Sequence, residues 1–140
     1  MTGGAELGHK EAIVLDMEAS LEHMRRGTVR HVDTLLIVTE PYFRALETAS
    51  RLASLAGELE IPDVTLIANQ VRSTLEESAV REFAERHGMS IAAVVPFDPE
   101  VTRVDNLGQA LLDAAPLAEA AQQVALLAGR LDRQFTGAGA

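Results

Sequence analysis

Four stretches of the chain are short, mainly aliphatic runs without regular polar alternation: Ala12–Asp16 (AIVLD), Thr34–Thr39 (TLLIVT), Val64–Ala68 (VTLIA) and Ile91–Val95 (IAAVV). A strand with one wet face alternates apolar and polar residues. Runs like these must be covered on both faces, as in a parallel sheet held between layers of helix. The intervening segments carry the helices. Leu46, Ala49, Ala53, Ala56 and Leu59 recur with a period near 3.6, as do Val80, Phe83, Ala84 and His87, and a last stripe runs Leu117, Ala120, Ala121, Val124, Leu127, Ala128 and Leu131. Ser73 with Glu76 reads as a capping box, and Gly88 stands where a helix C-terminus favours glycine. The order is strand, irregular segment, strand, helix, strand, helix, strand, short turn, helix. That order predicts an α/β fold with a parallel sheet flanked by helices and right-handed crossovers.

With 140 residues one domain is expected, spanning 12–133, with loose Gly-rich or polar ends at 1–11 and 134–140. Aromatic residues are 4% of the chain, so the core must be built from Ala, Leu, Val and Ile. Twelve Lys and Arg against 21 Asp and Glu leave a net charge of −9, which argues against sequence-independent binding to nucleic acid or an anionic membrane surface. The chain has no cysteine, which excludes disulfides, thiolate nucleophiles and Cys-ligated metal sites within it. No apolar run approaches the length of a membrane span and no secretory h-region precedes Ala12, so a cytoplasmic location is expected.

In an open parallel sheet, ligands bind beyond the carboxyl ends of the strands. Those ends are polar here: Asp16-Met17-Glu18-Ala19-Ser20, Thr39-Glu40-Pro41, Asn69-Gln70-Val71-Arg72 and Pro96-Phe97-Asp98. An acid closing a strand can hold a metal-bound water beside a phosphate, and an Asn amide can both donate to and accept from a purine edge. The same residue types also cap helices and turns. Elsewhere, Arg25, Arg26, Arg30 and His31 read as a solvated basic patch or an anion-binding surface. His9, His23, His31 and His87 lack metal-ligand spacing, and His87 reads as packing or a helix C-terminal charge. Asp16, Ser20 and His23 are hydrolase residue types without a G-x-S-x-G elbow around the serine.

The stretches VLDMEASLEHMRRGT, VDTLLIVTEPYFRALETA, LIANQV, VVPFDPEV and DNLGQALLDAAP resemble the C-terminal half of CooC-type ATPases. These are MinD/ParA-like proteins of the deviant Walker P-loop group, which assist nickel insertion into carbon monoxide dehydrogenase. The resemblance runs from about Ala12 to Leu131 and implies a partial P-loop NTPase-like, Rossmann-like three-layer domain. It puts Asp16 on the Walker B-like acid that supports Mg2+ through water, and Glu18, Ala19 and Ser20 on the segment that senses the γ-phosphate. Asn69, with Val71 beside it, falls on the adenine-reading position, and Pro96, Phe97 and Asp98 on the loop against adenine and ribose. ATP and Mg2+ are the cofactors so implied. Ser20 and Arg25 stand where the family has Gly, which removes backbone freedom near a phosphate.

No G-x-x-x-x-G-K-[ST] and no deviant Lys-Gly-Gly form occurs in the 140 residues. Without such a loop the β and γ phosphates have no cradle, so the chain is not expected to hydrolyse ATP alone. The family's Cys-x-Cys metal pair is also missing, so no nickel site is expected in this chain. In the family the P-loop strand lies between the strands matching Ala12–Asp16 and Thr34–Thr39. Either these two strands pair directly here or another polypeptide fills the slot. A homodimer, or a complementing P-loop-containing chain, is therefore the expected partner, with a nickel enzyme such as carbon monoxide dehydrogenase as client. The chain thus reads as a P-loop-less fragment, or a degenerate or split form, of a CooC-type ATP-binding protein; a non-catalytic interaction domain with relic nucleotide residues is the alternative.

Overall fold

The computed structural model describes residues 12–17 and 31–137. Its sheet has three parallel strands in the order β1-β2-β3, with β1 at Thr34–Thr39, β2 at Asp63–Val71 and β3 at Ser90–Pro96. Each crossover carries a helix, α1 at Phe43–Glu58 and α2 at Thr74–Arg86. β3 is followed by α3 at Pro99–Asn106, the single turn α4 at Leu111–Ala114 and α5 at Glu119–Asp132.

Successive residues of a strand point to opposite faces, and the core divides accordingly. Ile37 of β1 with Leu66 and Ala68 of β2 packs against Leu52 and Leu55 of α1 and Val80 and Phe83 of α2. On the other face Ile67, Ala93 and Val95 meet Ala120 and Leu127 of α5. The result is the three-layer arrangement expected from the doubly apolar runs. The α5 layer leans on β3 and leaves β1 thinly covered, so Val38 is 59% exposed on an otherwise apolar strand.

Helices α1, α2 and α3 all stop the same way. The backbone N–H groups of Ile61, Met89 and Gln109 donate to the carbonyls of Ala56, Ala84 and Val104, closing a Schellman turn in each case. The turn requires one left-handed residue. Gly88 and Gly108 supply it at φ 64° and 67°, whereas after α1 the position is held by Glu60 at φ 59°.

Three expectations are corrected. Residues Ala12–Asp16 form no strand: the segment makes no ladder, and Ile13, Val14 and Leu15 are 61%, 87% and 55% exposed. An apolar run becomes a strand only when a neighbour takes its backbone hydrogen bonds, and among the described residues β1 gives its ladder to β2 alone. The two strands therefore do not pair directly, and only Met17 of that segment reaches the core. The short turn expected before the last helix contains α3 and α4. Asp98 and Pro99 form the N-cap and first helical position that start α3. The tail expected from 134 begins as one π-helical turn, Arg133–Gly137.

Candidate functional site

The parallel register aligns Thr39 with Ala68 and Val71 with Pro96, so the carboxyl ends of all three strands share one rim. The rim is tied together by its backbone. Phe97 N–H donates to the Val71 carbonyl at 2.8 Å, joining the segments that leave β2 and β3. Above this bridge the Arg72 guanidinium lies over the Phe97 ring, 4.0 Å from its centroid, and the ring is 39% exposed. A cation over an aromatic face is attracted by the ring quadrupole.

Asp98 does not stand free on its loop. Its Oδ1 accepts from Glu100 N–H at 3.0 Å and its Oδ2 from Ala120 N–H at 3.1 Å, so one carboxylate caps α3 and reaches the first turn of α5. Those donors, Ala120 first and Glu100 next, hold its carboxyl below the usual carboxylate range by favouring the charged form.

Asn69 occupies a different part of the rim. It lines a cavity of about 300 Å³ between β1 and α1, walled by Ile37, Val38, Ala45, Ala49 and Leu52 and edged by Thr39, Glu40 and Thr48. Among the described residues its amide makes no hydrogen bond, leaving a donor pair and an acceptor for a ligand. Ser73, not Asn69, caps α2: its Oγ accepts from Glu76 N–H at 3.1 Å, and Glu76 Oε2 takes the Arg72 N–H at 2.7 Å. Next to Asn69, Gln70 sits at φ 56° in a bulge where β2 shifts register against β3, and its Nε2 donates to Glu40 Oε1 at 2.9 Å.

The rim therefore brings together Asn69, Val71, Pro96, Phe97 and Asp98 along one edge. Phe97 is not among the residues lining the Asn69 cavity. Asp16 is exposed in the unpaired segment, and Glu18, Ala19 and Ser20 lie outside the described residues, as do Arg25, Arg26, Arg30, His9 and His23. His87 behaves as packing: its Nδ1 lies 2.9 Å from the Phe83 carbonyl and its ring 4.2 Å from that of Phe83. Three features of the rim had not been anticipated from sequence: the left-handed Gln70, its bond to Glu40, and the Arg72–Phe97 stack.

No protein-family model matches the chain. It is 35% identical over 124 residues to the carbon monoxide dehydrogenase accessory protein CooC of Rhodospirillum rubrum, covering 89% of this chain and 46% of that protein. An uncharacterized ATP-binding protein of Methanocaldococcus jannaschii is 39% identical over 103 residues, 74% of this chain and 40% of the relative. The chain is homologous to CooC and MinD/ParA-like ATP-binding proteins. The solved structures agree on the fold. A ParA family ATPase from Chlorobium tepidum superimposes with a TM-score of 0.67 at 28% identity, over 80% of this chain and 47% of that one. The MinD cell division protein of Aquifex aeolicus superimposes with a TM-score of 0.64 at 21% identity, over 74% and 45%. The three-stranded sheet thus has the MinD/ParA P-loop NTPase fold, and the chain spans about half the length of the CooC and MinD/ParA-like relatives it matches.

The two implied cofactors fare differently on geometry. The Asn69 amide, without a hydrogen bond among the described residues, offers a purine edge a donor pair and an acceptor. No group of three His, Cys, Asp or Glu side chains gathers among the described residues, so they form no self-contained magnesium site, and Asp16 would hold the ion only together with phosphate and water. No described helix is long and apolar enough to cross a membrane.

Proposed function

We propose that these 140 residues form the base-recognition half of a CooC-type, MinD/ParA-like ATP site that is completed by a P-loop-bearing segment outside them. The observation that carries the reading is the rim itself. Among the described residues the Asn69 amide has no hydrogen bond in a cavity that opens beside β1, and no strand pairs with the outer edge of β1. An edge strand of six uncharged residues without proline is a ready template for a further strand. A P-loop strand supplied there would bring phosphate-binding backbone N–H groups and a lysine next to Asn69. In that assembly Asn69 reads the base, Val71 and Phe97 shape its edge, and Pro96 and Asp98 hold the loop. We assign γ-phosphate sensing to Glu18, Ala19 and Ser20, with Asp16 as the acid that would support magnesium through water only once a P-loop half is present. We take 12–133 as the folding unit, with dimerisation as the other way of covering β1. The role we assign is ATP-dependent metallocentre maturation, supported by the likeness to a protein named as an accessory of carbon monoxide dehydrogenase, with nickel carried by partners rather than by this cysteine-free chain.

A second reading, a non-catalytic interaction domain, draws on one observation: both Asp98 oxygens are already bonded to helix termini. Calorimetric titration with Mg–ATP separates the two. The nucleotide reading predicts little or no heat from the chain alone and a binding isotherm once a P-loop-bearing half is added. Equal silence in both titrations, with the two polypeptides demonstrably associated, favours the interaction domain.

A further inference from the structure

The phase of β2 changes just before its end. Ala68 and Val71 both pack into the α1–α2 side of the core, although three residues apart in a strand they belong on opposite faces. The offset is taken up at Asn69 and Gln70, where two residues of β2 stand against one of β3 and Gln70 adopts φ 56°. A bulge that re-aims a side chain is a recurrent device beside binding sites. The left-handed region is costly for a residue with a Cβ, so something must hold Gln70 there. Its side chain supplies the hold, donating from Nε2 to Glu40 Oε1 at 2.9 Å across the ends of β1 and β2.

We infer that Glu40 and Gln70 are positioning residues that lock the bulge and so fix the direction in which Asn69 presents its amide to a nucleobase. The inference rests on the base-recognition reading of Asn69 and adds to it residues that touch no base themselves. Glu40 is suited to the part. It is the first residue beyond β1, it edges the same cavity as Asn69, and its carboxylate accepts the Gln70 amide without any basic partner in that bond.

The test is backbone 15N relaxation at Asn69 and Gln70 in the unliganded chain, in the wild type and in Glu40→Ala, Glu40→Gln and Gln70→Gly. The wild type is expected to be rigid at both amides, with an order parameter of about 0.85, and Glu40→Ala to fall toward about 0.6. Glu40→Gln keeps an oxygen acceptor and should restore rigidity, which a purely electrostatic role would not allow. Gln70→Gly removes both the bond and the backbone cost, so it folds while losing the order. Unchanged order at Asn69 in a folded Glu40→Ala protein overturns the inference. Titration of the same labelled samples with millimolar Mg–ATP in the presence of a P-loop-bearing half reports separately on the reading beneath it. Wild-type shifts at Asn69 that weaken about tenfold in apparent affinity in Glu40→Ala support both. Wild-type shifts that Glu40→Ala leaves unaltered sink the positioning role alone, and absence of wild-type shifts at Asn69 counts against base recognition while the relaxation data still decide the lock.

Discussion

Alanine in place of Asn69 and, separately, in place of Ser73 distinguishes ligand recognition from capping within one short segment. Ser73 Oγ satisfies the Glu76 N–H at 3.1 Å, one of the donors that the first turn of α2 cannot satisfy itself. Removing an N-cap serine costs about 1 kcal/mol, and for a domain of this size that lowers Tm by roughly 3–6 °C. Asn69 is half-buried and makes no hydrogen bond among the described residues, so Asn69→Ala has no bond to lose. A substitution of that kind changes stability by less than about 0.5 kcal/mol, or a shift of at most about 3 °C. Thermal unfolding followed by circular dichroism on both variants reads the difference. If Asn69→Ala lowers Tm as far as Ser73→Ala does, the side chain is structural and its assignment to a ligand fails.

Gly88→Ala and Gly57→Ala should move stability in opposite directions. At both positions a Cβ meets nothing within 4 Å, but Gly88 sits at φ 64° and so bears the left-handed penalty of about 1 kcal/mol, whereas Gly57 is helical and gains about as much from alanine; urea unfolding gives both signs. Leu66→Ala removes a side chain with no exposure from the central strand and should cost about 2–5 kcal/mol by the same assay. Asp98 has its pKa lowered by the Ala120 and Glu100 N–H groups, so its contribution to stability is full above the unfolded carboxylate pKa and is lost as pH falls toward the folded value. Urea midpoints measured from about pH 6 down to about pH 3 should therefore fall less steeply in Asp98→Asn than in the wild type, and parallel curves would contradict the capping role.

Continuous aliphatic runs declared the three parallel strands, and the 3.6-residue stripes declared α1, α2 and α5, because burial on two faces or one leaves a direct trace in composition. Ala12–Asp16 carries the same trace without becoming a strand, since composition records fitness for a sheet and not whether a neighbour is present to pair. Residues 99–114 read as a short turn although Asp98-Pro99 is a readable helix start; their apolar residues scarcely enter the core, since α3 buries Val104 alone and α4 buries none. At the rim, Asn69, Phe97 and Asp98 do lie at the carboxyl ends of their strands, as the positions of the apolar runs imply. Their division of labour was not legible. Asp98 is bonded to Ala120 N–H, 22 positions away, and Gln70 to Glu40, 30 positions away. A left-handed glutamine carries no local signal at all, because the conformation is imposed by the bulge and held by a bond from another strand.

The most direct test of the account is where Mg–ATP perturbs this chain when a P-loop-bearing half is bound to it, read as 15N and 1H shift changes on the labelled chain alone. The account predicts the largest changes at Asn69, Val71 and Phe97 on the carboxyl rim, together with loss of solvent exchange along β1. Changes confined to the outer faces of α2 and α5, or a complex that binds nucleotide while leaving the rim untouched, would contradict it.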